Sequence, residues 1–344
     1  MSYKLSSFCR KCSLLLGFML LCLISFSQYD FSGLDKKLKD SQKELGKNIA
    51  VLISKDGKII YKRETEEFKI SSQEPIQNSC QWLTAALVMT FVDQNKLSLD
   101  DKVSKYLPVF AKYGKSYITI RNCLTHTTGI QSIQGVKLFE KTKFSSLEEE
   151  VNEFASKHEI QNNPGIEFRF SNIGADIAAR VLELITKKQF EQLMNERILR
   201  PLSMKNTTFF SDRAVNPSSG AISAAQDYMN FLTMILNKGV YKDKRILSEK
   251  AIVEMEKVQT DLPMMKYAPK SVEGYTYSLG AWNQLMDDNN NSLELIAPSF
   301  TGIWPMIDRT KGYAFILFTK SSAGEQKKNF YASIKQIIDN TIAP

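Results

Sequence analysis

The sequence predicts an α/β (α+β) protein in which an antiparallel sheet is flanked by helices and carries a helical insertion lobe. Strand-like runs occur towards both ends of the chain, at residues 48–64 and again across residues 275–320. Apolar residues at helical spacing dominate the middle, most clearly at residues 174–187 and 190–199. With 344 residues, 43% hydrophobic and 24% charged, the chain is long enough for one large domain or two interleaved ones.

The first 27 residues are predicted to be a signal peptide that does not belong to the fold. A basic start precedes an apolar stretch at residues 14–26, which is shorter than the roughly 20 residues of a membrane span. Ser25 and Ser27 are small residues at the positions that define cleavage, so we expect cleavage before Gln28 and a periplasmic or secreted mature chain. An uncleaved anchor is the alternative, and a lipoprotein through Cys22 is disfavoured by the bulky residue before it.

The mature chain is predicted to begin with a helix, a hairpin and a buried helix. Leu34 and Leu38 lie four residues apart, as on one helical face. Residues 48–64 form two β-rich runs around Asp56-Gly57, a dipeptide typical of two-residue hairpin turns. A helix that is apolar almost all round then starts near Cys80, and such a helix is typical of a protein core. The polar residues directly at its start are therefore unexpected.

The remaining elements follow in the order helices, strands, helix. Residues 97–108 are interpreted as a loop and a short helix ended by proline, and Ser223-Ala224-Ala225-Gln226 as a capping box before a further helix. The last third is predicted to contain strands at residues 275–285, 292–299, 303–308 and 312–320 and a closing helix at residues 325–340.

Early and late strands are expected to share one sheet. This places a sheet lobe at about residues 28–75 and 240–344 and a helical lobe at about residues 80–239 within one domain, residues 28–344. Ligands usually bind in the cleft between two such lobes.

Charge and histidine content exclude several function classes. Removing residues 1–27 takes away three basic and no acidic residues, so the formal net charge falls from +8 to +5. The remaining Lys and Arg are scattered along the sequence without aromatic interleaving, which argues against a nucleic-acid partner. His126 and His158 have no ligand-like spacing, so no metal and no other cofactor is predicted. No membrane span is expected after signal cleavage.

Two cysteines remain after signal cleavage, Cys80 and Cys123. In an oxidising compartment two cysteines could pair. Both, however, lie in segments predicted to be buried, where a free cysteine behaves as a small hydrophobic residue. The sequence leaves this choice open.

Five segments occur in an order known from another family: WLTAALVMTFVDQNKLSLDDKVSKYLP (residues 82–108), CLTHTTGI (123–130), FRFSNIG (168–174), ILRPLSMKNTTFF (198–210) and SSGAISAAQDYMNFL (218–232). Together they resemble the serine β-lactamase-related family, which groups class C β-lactamases, D-alanyl-D-alanine carboxypeptidases and related esterases. The resemblance covers nearly all of the mature chain, and the β-lactamase/transpeptidase-like fold that it implies agrees with the two-lobed prediction.

The resemblance also implies a reaction. A Ser-x-x-Lys motif is expected at the head of the central helix, where the serine attacks an acyl carbonyl. The lysine and a tyrosine from a Tyr-x-Asn loop would handle the serine's proton. A Lys-Thr-Gly or His-x-Gly strand would hold the substrate carboxylate, and the positive end of the helix suits negative charge.

This chain departs from the first two motifs. Alignment on the Trp-Leu-Thr segment places Asn78 at the nucleophile position and Gln81 at the lysine position. An amide nitrogen is a poor nucleophile, and glutamine has no titrating amine. Phe170 stands in place of the tyrosine, so the hydroxyl is missing, whereas Asn172 matches the motif.

The third motif is also incomplete. Residues 297–302 read APSFTG, with Gly302 near the motif's glycine and neither Lys nor His in the basic position. Losing the nucleophile of a serine hydrolase alone costs roughly a millionfold in rate, and further losses at the same site add little. We therefore expect a pseudoenzyme of the cell envelope that binds a peptide, a muropeptide or a protein partner in the inherited cleft.

The degenerate pocket is expected to comprise seven residues: Asn78, Gln81, Phe170, Asn172, Ser299, Thr301 and Gly302. No catalytic residue is assigned by the family mechanism. Asn78 and Gln81 could hydrogen-bond a ligand or only satisfy their neighbours at a helix terminus. Asn172 could orient a ligand amide or hold its loop.

An active acyl hydrolase with a non-standard nucleophile is the alternative function. Cys80 is the candidate, because a thiol near a helix N-terminus can have a lowered pKa. A packed structural cysteine is the competing interpretation, since no His or Lys stands near it in sequence to activate it. His126, within the CLTHTTGI segment, is interpreted as part of a structural turn.

Overall fold

The computed structural model describes residues 29–132, 144–320 and 328–342. The predicted signal peptide lies outside the described residues. The described α-helices are α1 Ser32–Asp40, α2 Gln42–Leu45, α3 Cys80–Asp93, α4 Pro108–Lys112, α5 Ile120–Leu124, α6 Leu147–Ser156, α7 Ile173–Thr186, α8 Phe190–Met194, α9 Ala225–Leu236, α10 Glu249–Glu256 and α11 Lys328–Ile342. No helix in these ranges is both long and apolar enough to cross a membrane.

One large antiparallel sheet contains strands from both ends of the chain, as the sequence predicted. Its seven strands follow the order β2-β1-β13-β12-β11-β10-β9. Asp56 (φ 51°) and Gly57 (φ 73°) form the predicted two-residue turn between the first two strands. The bounds are β1 Ile49–Lys55, β2 Lys58–Glu64, β9 Thr276–Tyr277, β10 Trp282–Met286, β11 Ser292–Ile296, β12 Trp304–Asp308 and β13 Tyr313–Thr319.

Six other described strands are short and form two-stranded pairs. Strand β3 pairs antiparallel with β5, β4 pairs parallel with β8, and β6 pairs antiparallel with β7. They are β3 Glu74–Pro75, β4 Phe168–Arg169, β5 Ile222–Ser223, β6 Val240–Tyr241, β7 Lys244–Arg245 and β8 Met265–Tyr267.

The sheet separates two apolar clusters. Helices α1 and α11 cover one face, where Leu34, Leu38 and Ile334 pack against sheet side chains such as Phe315. The other face packs on the helical lobe, in which α3 is central. Every residue of α3 from Cys80 to Phe91 is buried, so packing on all sides fixes the position of this helix. Helix α10 belongs to the same cluster although it follows residue 239.

Two local predictions are wrong, each for a packing reason. The predicted capping box does not form, because Ser223 pairs with Glu74 in a strand and its hydroxyl lies 2.8 Å from the Thr207 hydroxyl. Helix α9 therefore begins at Ala225 without a side-chain cap. The predicted strand at residues 275–285 is interrupted, since a turn at Gly280 divides it into β9 and β10.

Gly280 brings this turn against the first turns of α3. Its φ of 86° is in the left-handed region that favours glycine. A Cβ here would lie 2.8 Å from the Ala85 Cβ and 3.0 Å from the Gln81 carbonyl oxygen. The close approach thus places the sheet edge beside the head of the central helix.

Replacing Gly280 with alanine is expected to destabilise the protein by about 2–4 kcal/mol, because backbone strain and a clash with α3 add together. Gly57→Ala is the matched control. Gly57 also has positive φ, but a Cβ added there would meet no atom within 4 Å, so only strain of about 1 kcal/mol applies. Urea unfolding of both variants measures the difference, and equal losses would show that the contact with α3 is unimportant.

Candidate functional site

Three chain segments meet at the head of α3. The first is the 3₁₀ turn Gln77–Ser79 with the start of α3. The second is residues 170–172, between β4 and α7, and the third is the turn at residues 297–302, between β11 and β12. These are the segments that the three motifs occupy in the sequence, and hydrogen bonds join the first to each of the others.

Asn78 is buried and bridges the helix head to the 297–302 turn. Its Nδ2 donates a hydrogen bond to the Pro298 carbonyl oxygen at 2.7 Å, and its Oδ1 accepts from the Phe300 amide at 3.3 Å. Ser79 adds a third bond to the same turn, from its hydroxyl to the Ala297 carbonyl at 2.6 Å. Both polar ends of the Asn78 side chain therefore bond to the backbone of the opposite segment.

Gln81 makes the equivalent bond to the second segment. It is buried, and its Nε2 donates to the Ser171 carbonyl oxygen at 3.2 Å. An uncharged amide suits this place, because burying an ammonium group without a charged partner is far more costly than burying a hydrogen-bonded amide.

Phe170 lies within the core, with only 1% of its surface exposed. Its ring centroid is 4.6 Å from that of His126, 5.4 Å from that of Trp282 and 6.4 Å from that of Tyr277. The Phe170 ring thus packs into an aromatic cluster and does not face solvent.

His126 belongs to this aromatic cluster and positions the second segment. Its Nδ1 accepts from the Ser171 amide at 3.3 Å, and its Nε2 lies 3.1 Å from the Tyr277 hydroxyl. Since an N–H donates to Nδ1, the proton of the neutral ring is on Nε2. Burial lowers the pKa of His126 to about 3, so the ring stays neutral at ordinary pH.

The two cysteines are free, buried and not joined to each other. The Cys80 thiol donates to the Pro217 carbonyl oxygen at 3.4 Å. Burial raises the thiol pKa of both residues, because a thiolate loses its hydration in the core. Cys80 is therefore a packed thiol in this structure, held away from solvent.

The remaining candidates differ in exposure. Ser299 is buried, with its Oγ 2.9 Å from the Thr301 Oγ1 and accepting from the Ile303 amide. Gly302 has a φ of 90°, and its carbonyl accepts a bond from the Tyr331 hydroxyl at 2.6 Å. The structure uses both residues to shape the turn.

Asn172 and Thr301 are partly exposed. Asn172 occupies the N-cap position of α7, yet its side chain caps nothing and makes no hydrogen bond within the described part of the chain. Its amide is thus available to a ligand in a way that those of Asn78 and Gln81 are not.

Two residues that no sequence motif singles out also fix the helix head. The Tyr228 hydroxyl donates to the Ser79 carbonyl at 2.7 Å, and the Thr84 hydroxyl donates to the Pro217 carbonyl at 2.7 Å. Each is a polar side chain on the apolar face of a helix. Since a buried polar group needs a hydrogen-bond partner, a polar residue on an apolar face could have indicated such a contact.

The serine and cysteine side chains at the helix head bond to the backbone. None of the described residues at the helix head pairs a serine or cysteine nucleophile with a Lys or His base. Ser79 and Cys80 bond to carbonyl oxygens, and His126 accepts from a backbone amide. Within the described ranges, no group of three His, Cys, Asp or Glu side chains could hold a metal ion.

The amino-acid sequence of this chain is similar to those of known proteins. The Beta-lactamase family model matches residues 82–334. "Protein flp" of Staphylococcus aureus (strain MW2) is 29% identical over 181 residues, which cover 49% of this chain and 36% of that protein. The "D-alanyl-D-alanine-carboxypeptidase/endopeptidase AmpH" of Escherichia coli (strain K12) is 27% identical over 184 residues, covering 46% of this chain and 48% of that protein. The match thus spans less than half of each relative's length.

A solved structure extends the likeness to the whole fold. It is a Bacteroides dorei DSM 17855 protein provisionally described as a beta-lactamase, with a TM-score of 0.81 and 23% identity. The alignment covers 92% of this chain and 100% of that protein. The predicted β-lactamase/transpeptidase-like fold is confirmed.

Asn78→Ala is expected to lower the free energy of unfolding by about 1–3 kcal/mol, because it deprives the buried Pro298 carbonyl of its donor. Asn172→Ala is the control of the same chemical type, and a change within about 0.5 kcal/mol is expected for it. Urea unfolding checks both. Equal effects of the two substitutions would contradict a bridging role for Asn78.

Because of His126, the free energy of unfolding is expected to decrease as the pH is lowered. Its folded pKa of about 3 lies below the usual 6.5, so the unfolded chain takes up a proton first. Below about pH 6.5 the free energy of unfolding therefore decreases, with a slope approaching about 1.4 kcal/mol per pH unit from this residue, until about pH 3.

His126→Asn tests the assignment, because asparagine stays neutral and tolerates the φ of 54° at this position. Urea unfolding between pH 7.5 and 5.0 should show a shallower slope in this variant than in the wild type. The control His158→Gln, at a solvent-accessible histidine, should keep the wild-type slope. An unchanged slope in His126→Asn would refute the assignment.

Proposed function

The chain belongs to the beta-lactamase family, and we propose that it is an exported, non-hydrolytic member that binds a peptide, a muropeptide or a protein partner. The observation that carries the proposal is the bonding of Asn78 and Gln81 to the backbone of the two facing segments. In the family that the chain resembles, these two positions belong to the nucleophile and its lysine. Here both carry amide side chains that bind backbone carbonyls.

Several further features support the loss of hydrolysis. Phe170 contributes no hydroxyl, and its ring is packed in the core. The 297–302 turn has no Lys or His to hold a substrate carboxylate. A site that lacks the nucleophile, the base and the cation has no group to start acyl transfer by the family route.

Binding is supported by what remains accessible. Asn172 keeps a free amide beside the buried bond from Gln81 to Ser171, and an amide can both donate to and accept from a peptide group. One relative is a D-alanyl-D-alanine carboxypeptidase/endopeptidase, so a peptide of that class is the first ligand to test. Export rests on the signal peptide expected from the sequence.

An acyl hydrolase acting through Cys80 is the alternative. The thiol would have to leave the core and lose its bond to the Pro217 carbonyl. Burial also raises its pKa, which keeps it protonated and therefore a weak nucleophile. The geometry disfavours this route.

Intact-protein mass spectrometry after incubation with a fluorophosphonate or a penicillin tests the loss of chemistry. The wild type is expected to gain no phosphonyl or acyl mass. Folded protein should also leave Cys80 and Cys123 unmodified by maleimide, whereas unfolded protein should react at both. Cys80→Ala is the control, since a mass gain abolished by it would establish the alternative, and any other gain would identify a different nucleophile.

Thermal unfolding with a D-alanyl-D-alanine peptide or a muropeptide tests binding. A ligand at 100 times its Kd raises the free energy of unfolding by about 2.7 kcal/mol. The shift is expected in the wild type and should be reduced in Asn172→Ala. Absence of any shift, with no partner captured by the folded protein, would reject the binding proposal.

A further inference from the structure

A cationic groove lies at the opposite end of α3 from the candidate site. Since α3 has 14 residues and rises about 1.5 Å per residue, the two ends are roughly 20 Å apart. The groove has a volume of about 400 Å³. Its lining comprises Thr90, Gln94, Arg197, Pro201, Lys244, Arg245 and Ile246, and we call it the Arg197 groove.

Arg197 is held in place by neutral groups. Its guanidinium carbon lies 4.0 Å from the centroid of the Phe91 ring. Nη1 donates to the Thr90 hydroxyl at 3.3 Å and to the Gln94 Oε1 at 3.2 Å. These contacts fix the plane of the guanidinium but leave Nε and Nη2 without an acceptor among the described residues. Burial lowers the pKa of Arg197, and the nearby charge of Glu196 offsets this only in part.

The second side of the groove is the β6–β7 hairpin. Arg245 donates through Nη1 to the carbonyl oxygens of Lys238 and Leu247, both at 3.2 Å, so neutral groups also orient this guanidinium. Lys244 lines the groove beside it. Within the described chain, neither Lys244 nor Arg245 forms an ion pair.

Two acidic groups near the groove are engaged elsewhere, whereas Asp243, next to Lys244, is exposed and lies outside the lining. Glu196, next to Arg197 in sequence, forms an ion pair with Lys188 at 2.7 Å. Asp93, at the end of α3, accepts from the amide and the hydroxyl of Ser248. None of the lining residues is acidic, so three cations face the recess without a counter-charge in the lining.

We propose that the Arg197 groove binds a phosphoryl group between Arg197 and the Lys244–Arg245 pair. The free edge of a guanidinium matches the oxygens of phosphate or carboxylate in two parallel hydrogen bonds. Three unpaired cations favour the group with the greater negative charge, and a phosphomonoester carries nearly two charges at neutral pH. The partly negative C-terminal end of α3 opposes an anion, but Arg197 lies directly over it.

The phosphoryl group could belong to a soluble phosphate ester or to a lipid headgroup. Calorimetric titration with inorganic phosphate and with glycerol 3-phosphate, at low ionic strength in chloride buffer, tests the first source. Co-sedimentation with vesicles of phosphatidylglycerol and phosphatidylcholine, against pure phosphatidylcholine vesicles, tests the second. Binding in either experiment supports the groove, and the one that responds identifies the source.

Lys244→Gln/Arg245→Gln is the principal variant, because both residues are exposed. It should weaken binding at least tenfold, and Arg197→Gln should do the same. Lys36→Gln/Lys37→Gln is the matched control, since it removes the same charge from α1 on the far side of the sheet. It should bind within twofold of the wild type.

Three results would overturn the proposal. The first is that neither phosphate, glycerol 3-phosphate nor anionic vesicles bind to the wild type. The second is that Lys244→Gln/Arg245→Gln binds with wild-type affinity. The third is that the α1 control loses as much affinity as Lys244→Gln/Arg245→Gln. The last would mean that overall charge, and not the groove, attracts the anion. The surface double variant keeps the test decisive even if Arg197→Gln unfolds.

Discussion

Hydrogen bonds from the head of the central helix fix the sheet turn between β11 and β12 and the segment before α7 in place around it. Asn78 and Ser79 reach the turn between β11 and β12, and Gln81 reaches the segment before α7. All three side chains are buried, where an unmet donor or acceptor costs about 1–3 kcal/mol. Because each of these three side chains donates to a backbone carbonyl, the polar start of an otherwise apolar helix is attached to the facing segments.

The same bonds indicate which residue types this buried helix head can accommodate. A lysine at position 81 would require a charged partner or water once buried, whereas glutamine needs only an acceptor, which Ser171 provides. Phe170 likewise needs no hydrogen-bond partner, because its ring packs against His126 and Trp282. These side chains are therefore compatible with one another, since each makes a contact that a closed interior can satisfy.

Much of the fold was predictable because its signals are local. The Asp56-Gly57 hairpin and the apolar α3 appear where turn chemistry and periodicity place them. The failures occurred where distant contacts decide. Gly280 breaks a strand because α3 lies against it, and Ser223 leaves its capping role for a strand pair with Glu74. Neither partner is visible from the local sequence.

The candidate site, like the fold, could be predicted only in part from the sequence. Aligned motifs identified which segments meet, but not which of their side chains would be buried. Asn172 and Asn78 are the same residue type near one helix head, yet only Asn78 is locked between segments. The Arg197 groove was the least predictable feature. In the sequence 46 residues separate Arg197 from Lys244 and Arg245, so the charges look scattered, whereas in the fold the three residues line one groove. Tertiary packing converts dispersed cations into a single positive recess, and only the fold reveals a recognition surface of that kind.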